Sequence, residues 1–245
     1  MEKKSKLISD DGEEEGYPGY GKAIKLKRAN ETANSICIIT IMEEKENGNS
    51  IKCTGTGFFM NVKLEGKELN CLITNYHNIT QDLVDNKKEI IIQIENESEK
   101  RIKLDINNRF IKCFKQPIDI TIIEIKDEDD IKNEVSFLWY DKNYDLGYDN
   151  YFESDIFILQ HPLGEETYLG TGKIMRIEKF EFEHSVETQY GSSGSPIILT
   201  SNGLVIGIHK QTNKINNNGI GTFIGEIFKK KDKNDENTEE KKNFL

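Results

Sequence analysis

The run Tyr190-Gly191-Ser192-Ser193-Gly194-Ser195-Pro196-Ile197 has the residue types of a tight, exposed turn. Small residues there let the backbone approach a substrate and aim N–H groups at one point. A hydroxyl in such a turn can act as a nucleophile, with the N–H groups of Gly191 and Ser193 as an oxyanion hole. A serine hydroxyl is a weak nucleophile at neutral pH and needs a base. His77 closes the segment Leu72-Ile73-Thr74-Asn75-Tyr76-His77, where an apolar strand runs out into polar residues. The base in turn needs an orienting carboxylate. Asp119 opens the β-branched run Ile120-Thr121-Ile122-Ile123-Glu124-Ile125, and an acid at the mouth of a buried strand needs a partner. Each feature alone has an ordinary reading: a Gly/Ser loop, a packed histidine, a capping aspartate. Together they spell base, orienter and nucleophile in the order His77, Asp119, Ser193.

That order narrows the scaffold. An α/β-hydrolase runs Ser, acid, His behind Gly-x-Ser-x-Gly, but here the fifth residue is Ser195, and no acid separates Ser193 from His209, the histidine that follows it. A subtilisin order would have to begin at Asp10 or Asp11, which no strand carries.

At these residues the chain resembles the chymotrypsin-like (trypsin-like) serine proteases, and within them the glutamyl-endopeptidase and intracellular trypsin-like peptidase branch. The matching pieces are Gly55-Thr56-Gly57-Phe58-Phe59, Leu72 to His77, Asp119 to Ile125, His161-Pro162-Leu163-Gly164, Gly191 to Pro196 and Val205-Ile206-Gly207-Ile208-His209. They cover roughly residues 33–228. The resemblance implies His77 as general base, Asp119 as its orienter, Ser193 as nucleophile, and Ser195 as a bystander. It implies two six-stranded antiparallel Greek-key β-barrels, with the active site in the cleft between them. It also implies a serine endopeptidase acting on polypeptides through an acyl-enzyme. Two rivals stay open: a catalytically silent binding module on the same fold, and an esterase or amidase for small substrates. Where secreted relatives place Asp before the nucleophile, this chain has Ser192, so no cut N-terminus is expected to activate it.

The same resemblance points to the pocket for the residue before the scissile bond. Thr188 and His209 match positions that bind a substrate carboxylate, and Lys210 adds a positive charge beside them. Glu187 departs from that pattern, and is expected to pair with His209 or Lys210 or to point away. The expected preference is for acidic residues, Glu before Asp. His161 and His184 read as structural or pocket-wall residues.

Composition sets the frame. The chain has 245 residues, 36% of them hydrophobic, and a net charge of −10 from 33 basic and 43 acidic side chains. That balance, with no basic stripe, argues against a nucleic-acid partner. Neither a secretory leader nor a membrane span stands out. Cys37, Cys53, Cys71 and Cys113 are widely spaced, with no Cys-x-x-Cys pair, so no metal site is expected. Asn78 stands where many relatives carry a cysteine after the base. Four reduced thiols in a cytoplasmic protein are expected, a Cys53–Cys71 bridge being the alternative. No cofactor is implied, and a monomer is the expected state.

Residues 1–30 are polar and acidic and read as an N-terminal arm. Short apolar or alternating runs follow at 35–42, 51–62, 69–75, 89–94, 102–106, 110–114 and 119–126. A second series covers 154–160, 167–175, 177–183, 196–200, 204–209 and 219–224. The expected division is a first barrel over 31–130 with His77 and Asp119, a connection over 131–153, a second barrel over 154–228 with Ser193, and a charged tail over 229–245 with a possible helix.

Overall fold

The computed structural model describes residues 32–44, 50–64, 66–86, 90–94, 100–104 and 106–229. The arm over 1–30 and the tail beyond Lys229, with its expected helix, lie outside the described residues. Among the described residues thirteen strands answer the thirteen apolar runs, with one boundary moved: β9 extends through Glu178, and the turn to β10 falls inside the run 177–183. In the first half these are β1 (Ile36–Glu44), β2 (Ser50–Leu64), β3 (Lys67–Thr74), β4 (Ile90–Ile94), β5 (Lys100–Leu104), β6 (Ile111–Phe114) and β7 (Ile120–Glu124). In the second they are β8 (Asp155–Gln160), β9 (Tyr168–Glu178), β10 (Glu181–His184), β11 (Pro196–Leu199), β12 (Val205–Thr212) and β13 (Gly219–Phe223).

The first half is a seven-stranded antiparallel sheet in the order β5-β4-β1-β2-β3-β7-β6, one strand more than the six expected. The second is a closed six-stranded barrel, β10-β13-β12-β11-β8-β9. Helix is sparse. A five-residue helix α1 (Gln81–Asp85) follows His77, its N-cap Thr80 accepting from Leu83 N–H at 3.2 Å. Among the described residues no helix is long and apolar enough to cross a membrane.

Three apolar clusters explain why so many strands read as unbroken hydrophobic runs. Successive side chains on a strand face opposite ways, and here both ways are apolar. In the first half Cys37, Phe59, Leu72 and Ile123 fill that sheet's own interior. Ile36, Phe58, Ile73 and Ile122, one position away, point into a different cluster. The second barrel divides in the same manner: Ile156, Ile158, Ile197 and Ile206 fill it, while Phe157, Leu159, Ile198, Val205 and Ile208 point outward. The outward sets of both halves meet in one shared core. Strands buried on both faces carry near-continuous Ile, Val and Leu. The halves are therefore welded by hydrophobic burial, at roughly 25 cal/mol per Å² of apolar surface removed from water.

The stretch between β7 and β8 has no strand of its own. It contains two 3-10 turns, Lys142–Leu146 and Tyr148–Tyr151. Single bridges, Met60 to Leu138 and Tyr140 to Val205, pin it to both halves.

Cys37, Cys71 and Cys113 are free thiols. The alternative Cys53–Cys71 bridge is therefore not formed, and the side chain of Cys53 lies outside what is described. Burial raises all three described thiols. Cys71 is pushed up to about 12, first by desolvation and then by the nearby Glu124.

Candidate active site

His77 follows the end of β3, and Asp119 immediately precedes β7. These two strands pair side by side, with Thr74 opposite Thr121, so the two residues emerge at one sheet end. Asp119 is fully buried. It sits at φ 61°, a left-handed conformation that Asp tolerates better than most residues. Its backbone is held on both sides. Its N–H donates to Lys115 O at 3.2 Å, and its carbonyl accepts from Tyr76 N–H at 3.1 Å and Asn75 Nδ2 at 3.0 Å. Asp119 Oδ1 accepts the His77 backbone N–H at 3.0 Å, and Oδ2 lies 2.7 Å from His77 Nδ1. A carboxylate only accepts, so Nδ1 must carry the proton of this bond. In the neutral ring that leaves Nε2 with a free lone pair. The imidazole is 42% exposed, while its carboxylate partner is sealed.

The serine turn lies between β10 and β11 and depends on two glycines. Gly191 has φ +93°, and a Cβ there would crowd His161 O at 2.7 Å. Gly194 has φ +97°, and a Cβ there would collide with Thr56 O across the interface between the halves. Tyr190 O accepts from Leu163 N–H at 2.6 Å, and Ser192 O accepts from Ser195 N–H at 3.1 Å. In a trans peptide N–H points opposite to C=O, so the N–H groups of Gly191 and Ser193 face away from these bonds. Neither donates to another described residue. Ser195 is fully buried, whereas Ser193 is only partly so.

Ser193 Oγ donates to Lys210 O at 3.0 Å, and no hydrogen bond joins it to His77 among the described residues. The two side chains nevertheless line the same cavity, of about 280 Å³, together with Gly191, Tyr190, Asn78, Gly55, Thr54, Ile39, Ile41, Thr80, Asp82 and Leu83. Most of that wall comes from the first half.

Thr56 and Asn78, to which the sequence reading gave no part in the site, tie the halves together at this point, with Thr74 holding Thr56 from its own half and His161 from the other. Thr56 N–H and Asn78 Nδ2 both donate to Ser193 O, at 2.9 and 3.0 Å. Thr56 Oγ1 donates to Gly191 O at 2.8 Å, and Thr74 Oγ1 to Thr56 O at 2.8 Å. His161 N–H donates to Thr56 Oγ1 at 3.2 Å. Asn78, directly after His77, thus bonds both to Ser193 O and to Thr74 Oγ1. The available signals were Thr56 within Gly55-Thr56-Gly57 and an amide directly after His77.

The specificity candidates do not gather as expected, and none of Glu187, Thr188, His209 and Lys210 lines the cavity beside Ser193. Lys210 does not offer its charge to the cleft. It is buried, with Nζ 2.6 Å from Glu181 Oε1 and 2.7 Å from Pro117 O. Glu187 is exposed, and among the described ion pairs it meets neither His209 nor Lys210. Only its backbone carbonyl is engaged, by Gln160 Nε2 at 2.9 Å. Thr188 Oγ1 lies 3.2 Å from Thr212 Oγ1. His209 is buried, with Nδ1 3.1 Å from His184 Nε2. Burial first, then the neighbouring His184 and His77, hold His209 well below the ordinary histidine range, and burial takes His184 down to about 4. At neutral pH His209 can therefore offer an N–H but no charge. His184 and His161 are both buried, and neither lines that cavity.

Comparison with known proteins places this architecture. No curated protein sequence matches. Among solved structures, the chain is similar to that titled "Crystal structure of Deg5", at 17% identity and a TM-score of 0.58, over 82% of this chain and 89% of that one. It is similar to the serine endoprotease from Yersinia pestis at 14% identity and 0.58, over 82% of this chain and 62% of that one. It is also similar to the active form of the Rv3671c protease from M. tuberculosis at 14% and 0.58, over 84% and 85%. These likenesses concern the fold and do not single out the glutamyl-endopeptidase branch. The model of the trypsin-like peptidase domain matches residues 55–208, which span Gly55 through the serine turn to Ile208. With well over half its length matched and the double-barrel fold in place, this chain belongs to the trypsin-like peptidase family.

Proposed function

We propose that the chain is a serine endopeptidase in which Ser193 attacks the scissile carbonyl, His77 moves the proton and Asp119 orients His77. One observation carries this reading. The sealed carboxylate of Asp119 fixes the Nδ1 proton of His77, which leaves Nε2 as an acceptor in the cavity that also holds Ser193. Rotation about the Ser193 Cα–Cβ bond exchanges the Lys210 carbonyl for His77. Such bonds often tighten only when substrate binds. Nε2 then takes the hydroxyl proton and returns it to the leaving amine, while Asp119 stabilises the imidazolium between the two steps. The outward N–H groups of Gly191 and Ser193 receive the oxyanion, each such donor being worth about 3–4 kcal/mol in sites of this kind. Since His77 serves the leaving group, the cavity walled by Ile39, Ile41 and Leu83 accepts the chain beyond the scissile bond.

For the residue before that bond we propose a preference for Glu, now without Lys210 or a charged histidine. Of the two tautomers of the buried pair, one leaves His184 with a buried, unpartnered Nδ1–H. The other leaves only an unpartnered lone pair there. Orphaned buried N–H groups are the rarer of the two, so His184 Nε2–H donates to His209 Nδ1, and His209 keeps its proton on Nε2. That N–H, with the Thr188 hydroxyl, supplies neutral donors for a carboxylate. The free thiols, two of them buried, support a reducing compartment, and free-thiol titration of the protein denatured without reductant and under anaerobic handling tests it.

A binding module on the same fold is favoured by one fact: Ser193 Oγ rests on Lys210 O rather than on His77. A fluorophosphonate probe decides between the readings, because only an activated serine is labelled. Labelling of the wild type that vanishes in Ser193→Ala supports the protease, and an unlabelled wild type overturns it. Peptides differing only in Glu, Gln, Phe or Lys before the scissile bond test specificity. A Glu-over-Gln preference that collapses in His209→Ala is expected, and a Lys preference rejects it.

A further inference from the structure

Lys210 is unusual in touching both sides of the site at once. Its backbone carbonyl, on β12, accepts the Ser193 hydroxyl. Its ammonium passes to the other half, where it donates to Pro117 O at 2.7 Å, and it is held from behind by Glu181 of β10 at 2.6 Å. The Lys210 side chain is 6% exposed and that of Glu181 35%. A buried ammonium requires an anion and further acceptors to offset its lost hydration, and here the second acceptor is a main-chain carbonyl of the first half. Pro117 lies in the turn that joins β6 to β7, closed by the bond from Asp119 N–H to Lys115 O. Asp119, two residues on, occupies the left-handed region. A residue in that conformation persists only when its surroundings over-determine it, and the Pro117 carbonyl is where the second barrel reaches this turn.

We propose, resting on the hydrolytic reading above, that Lys210 is a positioning residue. It clamps the Asp119 turn of the first half to the second barrel and so keeps the His77–Asp119 pair in register with Ser193. Glu181 anchors the clamp within its own barrel, and of the two bonds that the Lys210 ammonium makes, the one to Pro117 crosses between the halves. A catalytic group displaced by about 1 Å can cost on the order of 10²-fold in rate, which sets the scale for losing the clamp.

The test uses the full chain with three variants. Lys210→Met keeps the stem and removes the donors. Its kcat is expected to fall on the order of 10²-fold, with KM for a peptide substrate changed less than about threefold. Lys210→Arg, which retains charge and donors, is expected to recover most of that loss. Glu181→Gln leaves the Pro117 contact in place but weakens its anchor, and should lower kcat several-fold at unchanged KM. The low-field proton resonance of the His77 Nδ1–H to Asp119 bond gives a readout independent of turnover. It should broaden or vanish in Lys210→Met and persist in Lys210→Arg. Unchanged kcat in Lys210→Met, or a fall in kcat with that resonance intact, overturns the clamp. If Lys210→Met does not fold, Glu181→Gln decides, and an unaltered kcat there overturns the proposal. A wild type that fluorophosphonate does not label rejects the hydrolytic reading instead, and the resonance alone then judges the clamp.

Discussion

The two halves bring their residues to the cleft by different means. In the first half the side chains are already locked. Asp119 is sealed, both of its carboxylate oxygens accept from His77, and its backbone is tied to Lys115, Asn75 and Tyr76. In the second half the backbone is locked and the side chain is not. Two left-handed glycines, and carbonyls engaged by Leu163, Ser195, Thr56 and Asn78, fix the course of Tyr190 to Ser195. The Ser193 hydroxyl itself rests on Lys210 O. The proposed roles account for the difference: a base must present one nitrogen in one tautomer, which a built-in partner secures, and a nucleophile must turn from base to substrate, which needs only its platform fixed.

The comparison breaks first at the reacting atoms. Ser193→Ala and His77→Ala are each expected to abolish peptide cleavage, by roughly 10⁶-fold in kcat, while thermal unfolding stays near that of the wild type. Ser195→Ala should remain within a few-fold, because its hydroxyl is buried and makes no hydrogen bond in the cleft. An inactive Ser195→Ala with an active Ser193→Ala would show that the turn is read two residues out of register.

Smaller losses probe the two platforms. Asp119→Asn puts an amide where His77 Nδ1 needs an acceptor, and the wrong tautomer should lower turnover by up to about 10⁴-fold with little change in KM. Asn78→Ala removes one of two donors to Ser193 O and a bond to Thr74. A loss of roughly tenfold in kcat and about 1–2 kcal/mol in denaturant stability is expected. A drop in stability with no change in kcat would mean that Asn78 staples the halves without positioning the serine.

What the chain disclosed about itself divides along the same line. The thirteen described strands were legible as runs, because both faces of most of them are apolar and turn residues separate most runs, but the turn at Lys179-Phe180 between β9 and β10 was not marked by such residues. The seven runs before residue 127 are the seven strands of the first sheet, so the excess over six lay in the expected barrel rather than in the pattern. Helix α1 was not legible, since five residues give no helical period and its signal is confined to the Thr80 cap. His77, Asp119 and Ser193 stood out because strand ends and glycine turns mark them locally. Lys210 was misplaced because a long side chain can leave its own strand's pocket. Its partners, Glu181 and Pro117, lie 29 and 93 residues away in sequence. Glu187 was weighed as a pocket residue on position alone, and its exposure depends on how the segment after β10 leaves the barrel.

The smallest effect is silent at neutral pH and separates the cores of the two halves. His184 lies within the second barrel, where burial takes it from an ordinary 6.5 down to about 4, and its partner His209 is lowered further. An unfolded chain binds those protons near pH 6.5, while the folded barrel refuses them until much lower pH. The stability due to neutral burial is therefore fully present above about pH 6.5 and is lost as pH falls toward 4. For His184 alone the shift corresponds to about 3 kcal/mol. In the first half the described histidine is His77, which is exposed and has its carboxylate beside it. Denaturant unfolding from pH 7.5 to 4.5 should show the midpoint falling in the wild type. His184→Phe, which fills the space against Phe182 and Gly219 without a titrating ring, should flatten much of that slope and leave stability at pH 7.5 within about 1–2 kcal/mol. His77→Ala should leave the slope as it is. A slope unchanged in His184→Phe and abolished in His77→Ala would place the acid-sensitive element in the cleft rather than in the second barrel.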